Sequence, residues 1–411
     1  MKKLMMMGSL SVSCFMFFSC MSCNNNDNGS EQIPVGDPVE TQPPNTAYSP
    51  AFPGQTRIGS VKTTTALQIE ELASDLGKPW GIINLPDGRL LITEKSGYLL
   101  LYTADGERIH KIEGLPAVDD GGQGGLLDVA IDPDFNSNKM IYWTFSEPFG
   151  EGNLTSVAKG RLSADEQNIE NPQVIYRAEP SYNGSLHYGG RLLFDETGHL
   201  FVSTGERSDL VTRPQAQDLN SALGKIVRIT KEGNAAAGNP FANQSGARPE
   251  IYSYGHRNVQ GLAIHPVTKD LWEAEFGAKG GDEINRIAIG KNYGWPVISY
   301  GLEYSGEKIG EGITQMEGME QPVYYWDPSV SPSGIDFYTG TQIAEWKNNL
   351  FLGALSGTHI IRIVIQNNKV VGEERLLADK GERFRDVLGT HPNQSLYAIT
   401  DSGKLFRISK Q

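Results

Sequence analysis

The sequence predicts an all-β protein, a six-bladed β-propeller of four-stranded antiparallel blades. The first observation behind this prediction is a hairpin pattern that recurs six times along the chain. The second is that no convincing amphipathic helix occurs beyond Val61. The third is composition, because 47 glycines and 22 prolines among 411 residues suit a chain with many tight turns.

Each repeat consists of a small residue, an alternating apolar strand, a turn of Pro, Asp, Gly or Asn, and a second alternating strand. The six repeats cover residues 80–94, 127–144, 190–204, 261–274, 334–353 and 386–400. Apolar alternation with a period of two across a turn is typical of a β-hairpin, and six regular hairpins indicate a radial array. A pair of β-sandwiches is the alternative, but it gives no reason for this recurrence. Because the last repeat ends near the C-terminus, we expect a strand near residues 61–67 to close the ring.

The N-terminal residues differ in composition from the rest of the chain. Residues 1–23 combine two lysines, an apolar run and two Ser-Cys pairs, which is typical of a bacterial lipoprotein signal peptide with Cys20 or Cys23 as the lipidated residue. Plain secretion is the alternative. Residues 24–60, rich in Asn, Pro, Thr, Ser and Gly, are expected to form a flexible tether to the propeller at 61–411. This interpretation predicts an exported protein, periplasmic or anchored at the outer membrane by its N-terminal lipid.

Charge and cysteine placement exclude several classes of function. The formal net charge of −13 argues against a nucleic-acid partner, whose binding depends on Lys and Arg contacts to phosphates. All three cysteines, Cys14, Cys20 and Cys23, lie in the predicted signal peptide, so the body has no disulfide, thiolate metal site or Cys nucleophile. No Gly-x-Gly-x-x-Gly turn joins a strand to a helix, so a nicotinamide cofactor lacks its usual phosphate site.

Polar motifs stand directly before five of the six repeats, at residues 121–125, 185–191, 256–260, 326–333 and 382–386. In a propeller, residues at this place converge on the mouth of the central channel, and loops on a rigid scaffold are where binding chemistry concentrates. Five different polar motifs at the same place in the repeat are difficult to assign to packing. We therefore expect a ligand site at the mouth.

His187 is the candidate general base, because a neutral imidazole can accept a proton near pH 7. A histidine in this setting is often only a structural hydrogen-bonding group, but its place before a repeat and beside two glycines favours the base. His256 is expected to orient its own loop. His199, His265 and His391 lie at or beside turns and are interpreted as structural.

Arg257, Arg383 and Arg385 would place three guanidinium groups at the mouth. Arginine suits bidentate binding of carboxylates, so a ligand with several carboxylates would explain all three. The alternative is that they form salt bridges with nearby acidic residues, namely Glu206, Glu382 or Asp386.

The segment 277–283 can present backbone carbonyls and carboxylates in one loop. An oxygen-only ligand set suits Ca²⁺ better than Zn²⁺. The spacing is not that of an EF-hand, and an acidic surface turn is the alternative.

The motifs together resemble the glucose/sorbosone dehydrogenase family, the quinoprotein sugar dehydrogenases that use pyrroloquinoline quinone (PQQ). In order they are Gly-Gln-Gly-Gly-Leu-Leu, His-x-Gly-Gly-Arg-Leu, Gly-His-Arg-Asn-x-Gln-Gly-Leu, Gly-Gly-Asp-Glu-Ile-Asn, Asn-Tyr-Gly-Trp-Pro and Arg-x-Arg-Asp-Val. The resemblance covers about residues 78–409, and the chain looks nearer to the aldose sugar dehydrogenases than to the soluble glucose dehydrogenases.

The resemblance implies oxidation of an aldose at C1 to the lactone, with electrons passing on to a quinone or a redox protein. His187 would remove the hydroxyl proton, Glu206 would orient it, and Arg257 would polarise the quinone that accepts the hydride. The implied cofactor-binding residues are Gln123, Arg257, Asn258, Ser329, Arg383 and Arg385. The implied metal ligands are the Gly277 and Ala278 carbonyls for the Ca²⁺ that also binds PQQ, and Glu283 with the Tyr293 carbonyl for a second, structural Ca²⁺.

Four positions depart from the family pattern. Leu186 precedes the base where Asp or Asn is usual, and Ala278 stands where Pro is usual. Ser356 and Asp327 stand near where the glucose dehydrogenases carry a Lys and a Trp. Two other functions are alternatives: a lipid-anchored sugar-binding propeller without catalysis, and a Ca²⁺-dependent lactonase with its cation held by carboxylates at the channel centre.

Overall fold

The computed structural model describes residues 36–411, so the predicted signal peptide and residues 24–35 of the predicted tether lie outside the described residues. Residues 36–411 belong to one compact unit. Helix in the described part is limited to one short α-helix, α1 (Phe135–Asn138), and three 3-10 turns, Arg213–Ala216, Ala344–Trp346 and Ala378–Lys380. Within residues 36–411, no helix has the length and apolar character needed to cross a membrane.

The strands form six four-stranded antiparallel sheets. Strand β1 (Leu67–Ala73) belongs to the last sheet, and the others follow in chain order. The first blade contains β2 (Pro79–Asn84), β3 (Leu90–Glu94), β4 (Tyr98–Tyr102) and β5 (Arg108–Ile112). The second contains β6 (Leu126–Ile131), β7 (Met140–Phe149), β8 (Gly152–Leu162) and β9 (Ile169–Arg177). The third contains β10 (Gly189–Phe194), β11 (Leu200–Thr204), β12 (Lys225–Ile229) and β13 (Ile251–Tyr254).

The remaining blades follow the same pattern. The fourth contains β14 (Val259–Ile264), β15 (Leu271–Glu275), β16 (Asp282–Ile287) and β17 (Tyr324–Trp326). The fifth contains β18 (Pro332–Phe337), β19 (Leu350–Ala354), β20 (His359–Gln366) and β21 (Lys369–Leu376). The sixth contains β22 (Phe384–Leu388), β23 (Leu396–Thr400) and β24 (Leu405–Lys410), and β1 completes it.

The ring closes through the antiparallel pairing of β1 with β24, in which Leu67 lies opposite Lys410. The six inner strands β2, β6, β10, β14, β18 and β22 contact one another in a circle around the axis. All six sequence repeats are the first two strands of a blade, so the predicted six-bladed all-β propeller is confirmed. The closing strand, expected near residues 61–67, begins at Leu67.

Apolar side chains from neighbouring blades form the core between the sheets. In one such cluster, Leu91 and Leu99 of the first blade pack with Val129 and Trp143 of the second, and all four are almost fully buried. The alternation in the sequence produces this arrangement because every second side chain of a strand faces the same neighbouring blade.

Hydroxyl groups on the second strands also tie successive blades together. Thr93 on β3 donates to the Leu127 carbonyl of the next inner strand at 2.6 Å. Ser203 on β11 donates to the Val259 carbonyl at 3.0 Å. Thr144 on β7 likewise donates to the Gly190 carbonyl of the next blade. These bonds satisfy carbonyls that would otherwise be buried without a partner.

A buried ion triad lies where three inner strands meet. Arg191 on β10 contacts Asp128 on β6 at 3.1 Å and Asp386 on β22 at 2.8 Å. Its guanidinium also lies 4.2 Å from the centre of the Trp80 ring. Burial raises the pKa of Asp128 to about 6, against the opposing effect of Arg191. Asp386 is therefore a partner of Arg191 and not of Arg383 or Arg385.

The part of the predicted flexible tether that the structure describes is packed against the propeller. Ser60 pairs with Glu373 on β21, and Glu40 forms an ion pair with Arg375 at 2.9 Å. The Gln55 side chain is fully buried. The expectation of flexibility therefore does not describe residues 36–60, because polar groups of this segment find fixed partners on the fourth and fifth blades. We call residues 36–66 the N-terminal strap.

We expect Arg191→Leu to reduce the free energy of unfolding by about 3–5 kcal/mol, because it leaves two buried carboxylates without their cation. Chemical denaturation measures this. Arg161→Leu is the matched control: the Arg161 side chain is 58% exposed and lies 3.7 Å from Glu170, so its loss should stay below about 1 kcal/mol. Equal losses in the two variants would contradict a stabilising role for the triad.

Candidate active site

A cavity of about 470 Å³ opens at one rim of the propeller, where the inner strands begin. Six of the predicted site residues line it, namely Gln123, His187, Gly277, Ala278, Arg383 and Arg385. They come from four different blades. Gln123, His187, Arg383 and Arg385 lie before or at the start of inner strands, whereas Gly277 and Ala278 lie between β15 and β16. Lys78, Trp80, Lys95 and Gln260 also line the cavity and were not predicted as site residues.

His187 and Glu206 form a buried hydrogen-bonded pair. His187 Nδ1 lies 2.8 Å from Glu206 Oε1, and a second bond from the Ser208 amide to Glu206 Oε2, at 2.7 Å, orients the carboxylate. The carboxylate accepts the Nδ1 proton, which leaves Nε2 with its lone pair. Burial, with the nearby Arg257 cation, lowers the pKa of His187 to about 4 despite the opposing effect of Glu206. At neutral pH the imidazole is therefore an uncharged base.

The loop that carries His187 adopts an uncommon backbone conformation. His187 has φ of +47°, a left-handed value that non-glycine residues rarely adopt. The Gln123 side chain accepts the His187 amide at 2.9 Å, and Thr155 donates to the Tyr188 carbonyl at 2.6 Å. Such a conformation persists only where the surrounding contacts determine it.

Arg207 is the residue that holds this loop most extensively, and sequence reasoning missed it. Its guanidinium donates to the Leu186 carbonyl at 3.0 Å and to the Gly184 carbonyl at 2.6 Å. It also donates to the side chain of Asn153 at 2.6 Å and lies over the Tyr188 ring. The only signal available in the sequence was its position next to Glu206.

Asn258 lies behind the base and links two blades. Its side-chain oxygen accepts the backbone amide of Gly189 at 3.0 Å and the side-chain Nε2 of Gln260 at 3.2 Å. Its Nδ2 is buried and has no partner within residues 36–411. A buried amide donor without a partner is costly, which points to a ligand acceptor at this place.

Arg257 does not stand beside the other two predicted arginines on the cavity wall. Its guanidinium donates to the Gly277 carbonyl at 2.5 Å and to the Phe276 carbonyl at 3.2 Å. Its Nε is buried without a partner among the described residues. Arg257 therefore lies behind the segment that forms this part of the wall.

Arg383 and Arg385 share one carboxylate, Asp401. Arg383 donates to it at 2.8 Å and Arg385 at 2.7 Å. Although burial acts to raise it, the two guanidinium groups hold the pKa of Asp401 below its usual value. The acidic neighbours considered from the sequence are not the partners, and Glu382 instead contacts Lys404 at 2.9 Å. Asp401 follows β23, the second strand of its blade. The sequence prediction used only motifs that precede inner strands, so it did not include Asp401.

The carbonyl loop, residues 277–281, is held by the carboxylate of Asp282. One oxygen accepts the Gly277 amide at 2.8 Å, and the other accepts the Val330 and Ser331 amides, each at 2.7 Å. Burial raises the pKa of Asp282 to about 6, against these three donors. Asp282 is thus a brace within the fold, and the carbonyls of the loop remain as candidate ligands.

Ser329 contacts the carbonyl loop and does not line the cavity. Its hydroxyl accepts the Gly280 amide at 2.9 Å and lies 3.4 Å from the Ala278 carbonyl. Gly280 has φ of +79°, a value that glycine adopts without strain. The predicted cofactor contact of Ser329 is therefore indirect in this geometry.

Glu283 and Tyr293 lie in a second, smaller cavity with Glu275. Asn285 donates to Glu273 at 2.7 Å and to Glu283 at 3.1 Å. Burial and the charge of Glu275 raise the pKa values of both Glu273 and Glu283. One oxygen of Glu273 has no partner within the described part of the chain. A buried carboxylate such as Glu273, with one neutral donor and the partly buried Glu283 beside it, fits a bound cation.

Comparison with known proteins shows the family to which the chain belongs. Residues 76–407 match the family described as glucose/sorbosone dehydrogenase. The chain belongs to this family. It is 42% identical over 348 residues to the aldose sugar dehydrogenase YliI of Escherichia coli, which covers 84% of this chain and 93% of that protein.

Two solved structures support the assignment to the family. The soluble aldose sugar dehydrogenase of Escherichia coli in its apo-form has a TM-score of 0.80 at 41% identity, covering 84% of this chain and all of that one. The PQQ-bound form of an aldose sugar dehydrogenase from Streptomyces coelicolor has a TM-score of 0.69 at 28% identity, covering 85% and 99% of the two chains. The family resemblance stated from the six motifs is confirmed.

We expect His187 to titrate with a pKa of about 4 instead of its ordinary 6.5. The chemical shift of the His187 Cε1 proton, followed by NMR as the pH is changed, measures this pKa. The His187→Gln variant assigns the signal. Because the folded value is the lower one, the stability gained from neutral His187 is present above pH 6.5 and lost as the pH falls towards 4. A midpoint near 6.5 would contradict the assignment of a buried neutral base.

Proposed function

We propose that this protein oxidises an aldose at C1 to the lactone, with PQQ and Ca²⁺ as cofactors. The observation that carries the proposal is the buried His187–Glu206 pair, with Nε2 free of any partner among the described residues. The same cavity is lined by Arg383, Arg385 and the carbonyl loop. The dehydrogenase names of the Escherichia coli and Streptomyces coelicolor relatives support it.

The residues present fit a planar ligand with several carboxylates. Arg383 and Arg385 carry two positive charges against the single negative charge of Asp401, which leaves a net cation for an anionic ligand. The unpartnered Nδ2 of Asn258 and the Gln123 side chain supply amide groups. PQQ bound here would supply a quinone that accepts two electrons from the sugar.

The carbonyl loop fits a hard cation. The oxygens of Gly277 and Ala278 would hold a Ca²⁺ next to the cofactor, and such an ion adds Lewis-acid polarisation. Asp282 accepts the Gly277 amide of the loop and the Val330 and Ser331 amides of the neighbouring segment, so the start of the loop is fixed before an ion binds. Arg257, bound to the Gly277 carbonyl, ties this loop to the motif that carries Asn258.

His187 performs the proton transfer in this proposal. Its Nε2 takes the proton of the C1 hydroxyl, while Nδ1–H remains bonded to Glu206. The carboxylate stabilises the imidazolium that forms and fixes the tautomer. The low pKa keeps the base free at neutral pH, and Arg207 keeps its loop in place.

We propose a second, structural Ca²⁺ in the small cavity, held by Glu283 and the Tyr293 carbonyl. The buried Glu273 beside it supports this, because its negative charge is not balanced by its one donor, the neutral Asn285. We further propose export as a lipoprotein, lipidated at Cys20 or Cys23, with electrons passed to a quinone or a redox protein.

The lactonase and the sugar-binding alternatives are less well supported. The channel contains the cation Arg191 between Asp128 and Asp386, whereas a lactonase would need carboxylates free to hold a metal there. A protein that only binds sugar has no need of a buried base oriented by a carboxylate.

Reconstitution tests the proposed activity. We expect protein loaded with PQQ and Ca²⁺ to reduce a redox dye when glucose or another aldose is added. His187→Ala should lower kcat on the order of 10²–10⁴-fold, because it removes the general base. His199→Ala, at a turn between β10 and β11, is the matched control and should keep full activity. Dye reduction by neither the wild type nor the control would overturn the proposal.

Calcium binding to the small cavity is tested by thermal unfolding. Ca²⁺ at 100 times its Kd should stabilise the wild type by about 2.7 kcal/mol per site that binds only the folded state. We expect Glu283→Gln to lose most of this gain from the structural site. Glu196→Gln, on the exposed Glu196, is the control. An equal response of Glu283→Gln and wild type would exclude Glu283 as a ligand.

A further inference from the structure

Two residues of the N-terminal strap donate hydrogen bonds to one buried carboxylate of the propeller, Asp327. Asn45 donates to one oxygen from its backbone at 2.9 Å and from its side chain at 2.8 Å. Thr46 donates to the other oxygen from its backbone and its hydroxyl, each at 2.9 Å. Asp327 is 4% exposed, so these four donors replace the water that a charged carboxylate would otherwise need.

Two more strap residues hold the same region. Arg57 donates to the Asp327 carbonyl at 2.7 Å and to the Gln42 carbonyl at 2.7 Å, so it joins the strap to itself and to the propeller. The Gln55 carbonyl accepts the Tyr325 amide at 2.9 Å. The strap is therefore attached to the chain immediately before and at Asp327.

Asp327 leads directly to the carbonyl loop. Its carboxylate packs against Gly280, where an added Cβ would come within 2.5 Å of Oδ1. The neighbouring Trp326 carbonyl accepts the Gly281 amide at 2.8 Å. Two residues further on, Ser329 bonds the Gly280 amide. Asp327 thus stands between the strap on one side and the carbonyl loop on the other.

The strap precedes residue 76, where the match to the family begins. The contact at Asp327 therefore joins a segment outside the matched region to a loop inside it. Asp327 does not line the cavity, so its contribution to the site is indirect.

We propose that Asn45 and Thr46 of the strap, acting through Asp327, are positioning residues for the carbonyl loop. The strap limits the movement of the 326–329 segment, and this segment in turn limits the movement of the Gly277 and Ala278 carbonyls. The effect on Ca²⁺ binding rests on the proposed function, whereas the effect on loop mobility does not.

The same strap contacts a second carboxylate in the same way, and we call this contact the control latch. Glu345 accepts the amides and hydroxyls of Thr64 and Thr65, with bonds of 2.8–3.2 Å. This is the same chemistry as at Asp327, two backbone amides and two side chains on one carboxylate. Glu345 lies in the loop between β18 and β19, away from the carbonyl loop, so breaking this latch should leave the carbonyl loop unchanged.

The test compares full-length Asn45→Asp with Glu345→Gln by hydrogen exchange. Asn45→Asp places a second carboxylate against Asp327 and should release the strap there. We expect faster amide exchange at residues 277–281 and 327–331 in Asn45→Asp, and wild-type exchange at these residues in Glu345→Gln. Unchanged exchange in Asn45→Asp, or equal acceleration in both variants, would overturn the proposal.

Ca²⁺ affinity gives the second measurement. Titration of Asn45→Asp with Ca²⁺ in the presence of PQQ should show a Kd for Ca²⁺ raised about 10–100-fold, which is the usual effect of losing a group that orients a metal ligand. The kcat at saturating Ca²⁺ should stay close to the wild-type value. Asn45→Ser, which keeps a short polar side chain, should restore most of the affinity. If wild-type protein binds no PQQ while the exchange difference persists, the proposed function fails and the positioning role stands. An unchanged Kd would limit the strap to a role in stability and overturn the link to the cation.

Discussion

The pairing of β1 with β24 is the contact on which the rest of the molecule depends. Each blade packs on two neighbours, so an incomplete sixth blade would expose an apolar face on both of its sides and an unpaired strand edge. The inner strands also close into a ring, because β22 of the sixth blade contacts β2 of the first. The polar residues before these strands meet in one cavity because the ring is closed. The cavity therefore depends on closure of the ring as well as on the individual motifs that line it.

The fold was predictable because its strongest signal is local. The first two strands of every blade alternate apolar and polar residues across a short turn, and this pattern can be read directly from the sequence. The outer strands carry less information. In β5, for example, Arg108 is exposed and Ile112 is buried, with no regular alternation between them. The number of blades therefore followed from the inner hairpins, and the outer strands followed from the sheet that those hairpins begin.

The site was only partly predictable, for a related reason. His187, Gln123 and Arg383 precede inner strands, so a repeat-based argument places them on the cavity wall. Asp401 and Arg207 reach the site from other parts of their blades, and only tertiary contacts show their roles. The N-terminal strap was predicted to be flexible, whereas the structure packs it against the propeller. Its composition is that of a flexible segment, but the groups that hold it, such as Asp327, lie far away in sequence.

The acidic residues of the fourth blade show how donors separate a structural carboxylate from a candidate metal ligand. Asp282 accepts three backbone amides and Glu275 accepts two, so their charges are compensated by the fold itself. Glu273 and the partly buried Glu283 share one neutral amide from Asn285, and burial of Glu273 keeps water from replacing its missing donors. A buried carboxylate such as Glu273 takes up a proton or a cation in these surroundings, because isolated buried charge is too costly to persist. Of these two adjacent residues, Glu283 is therefore the candidate metal ligand, because Asp282 already accepts three backbone amides.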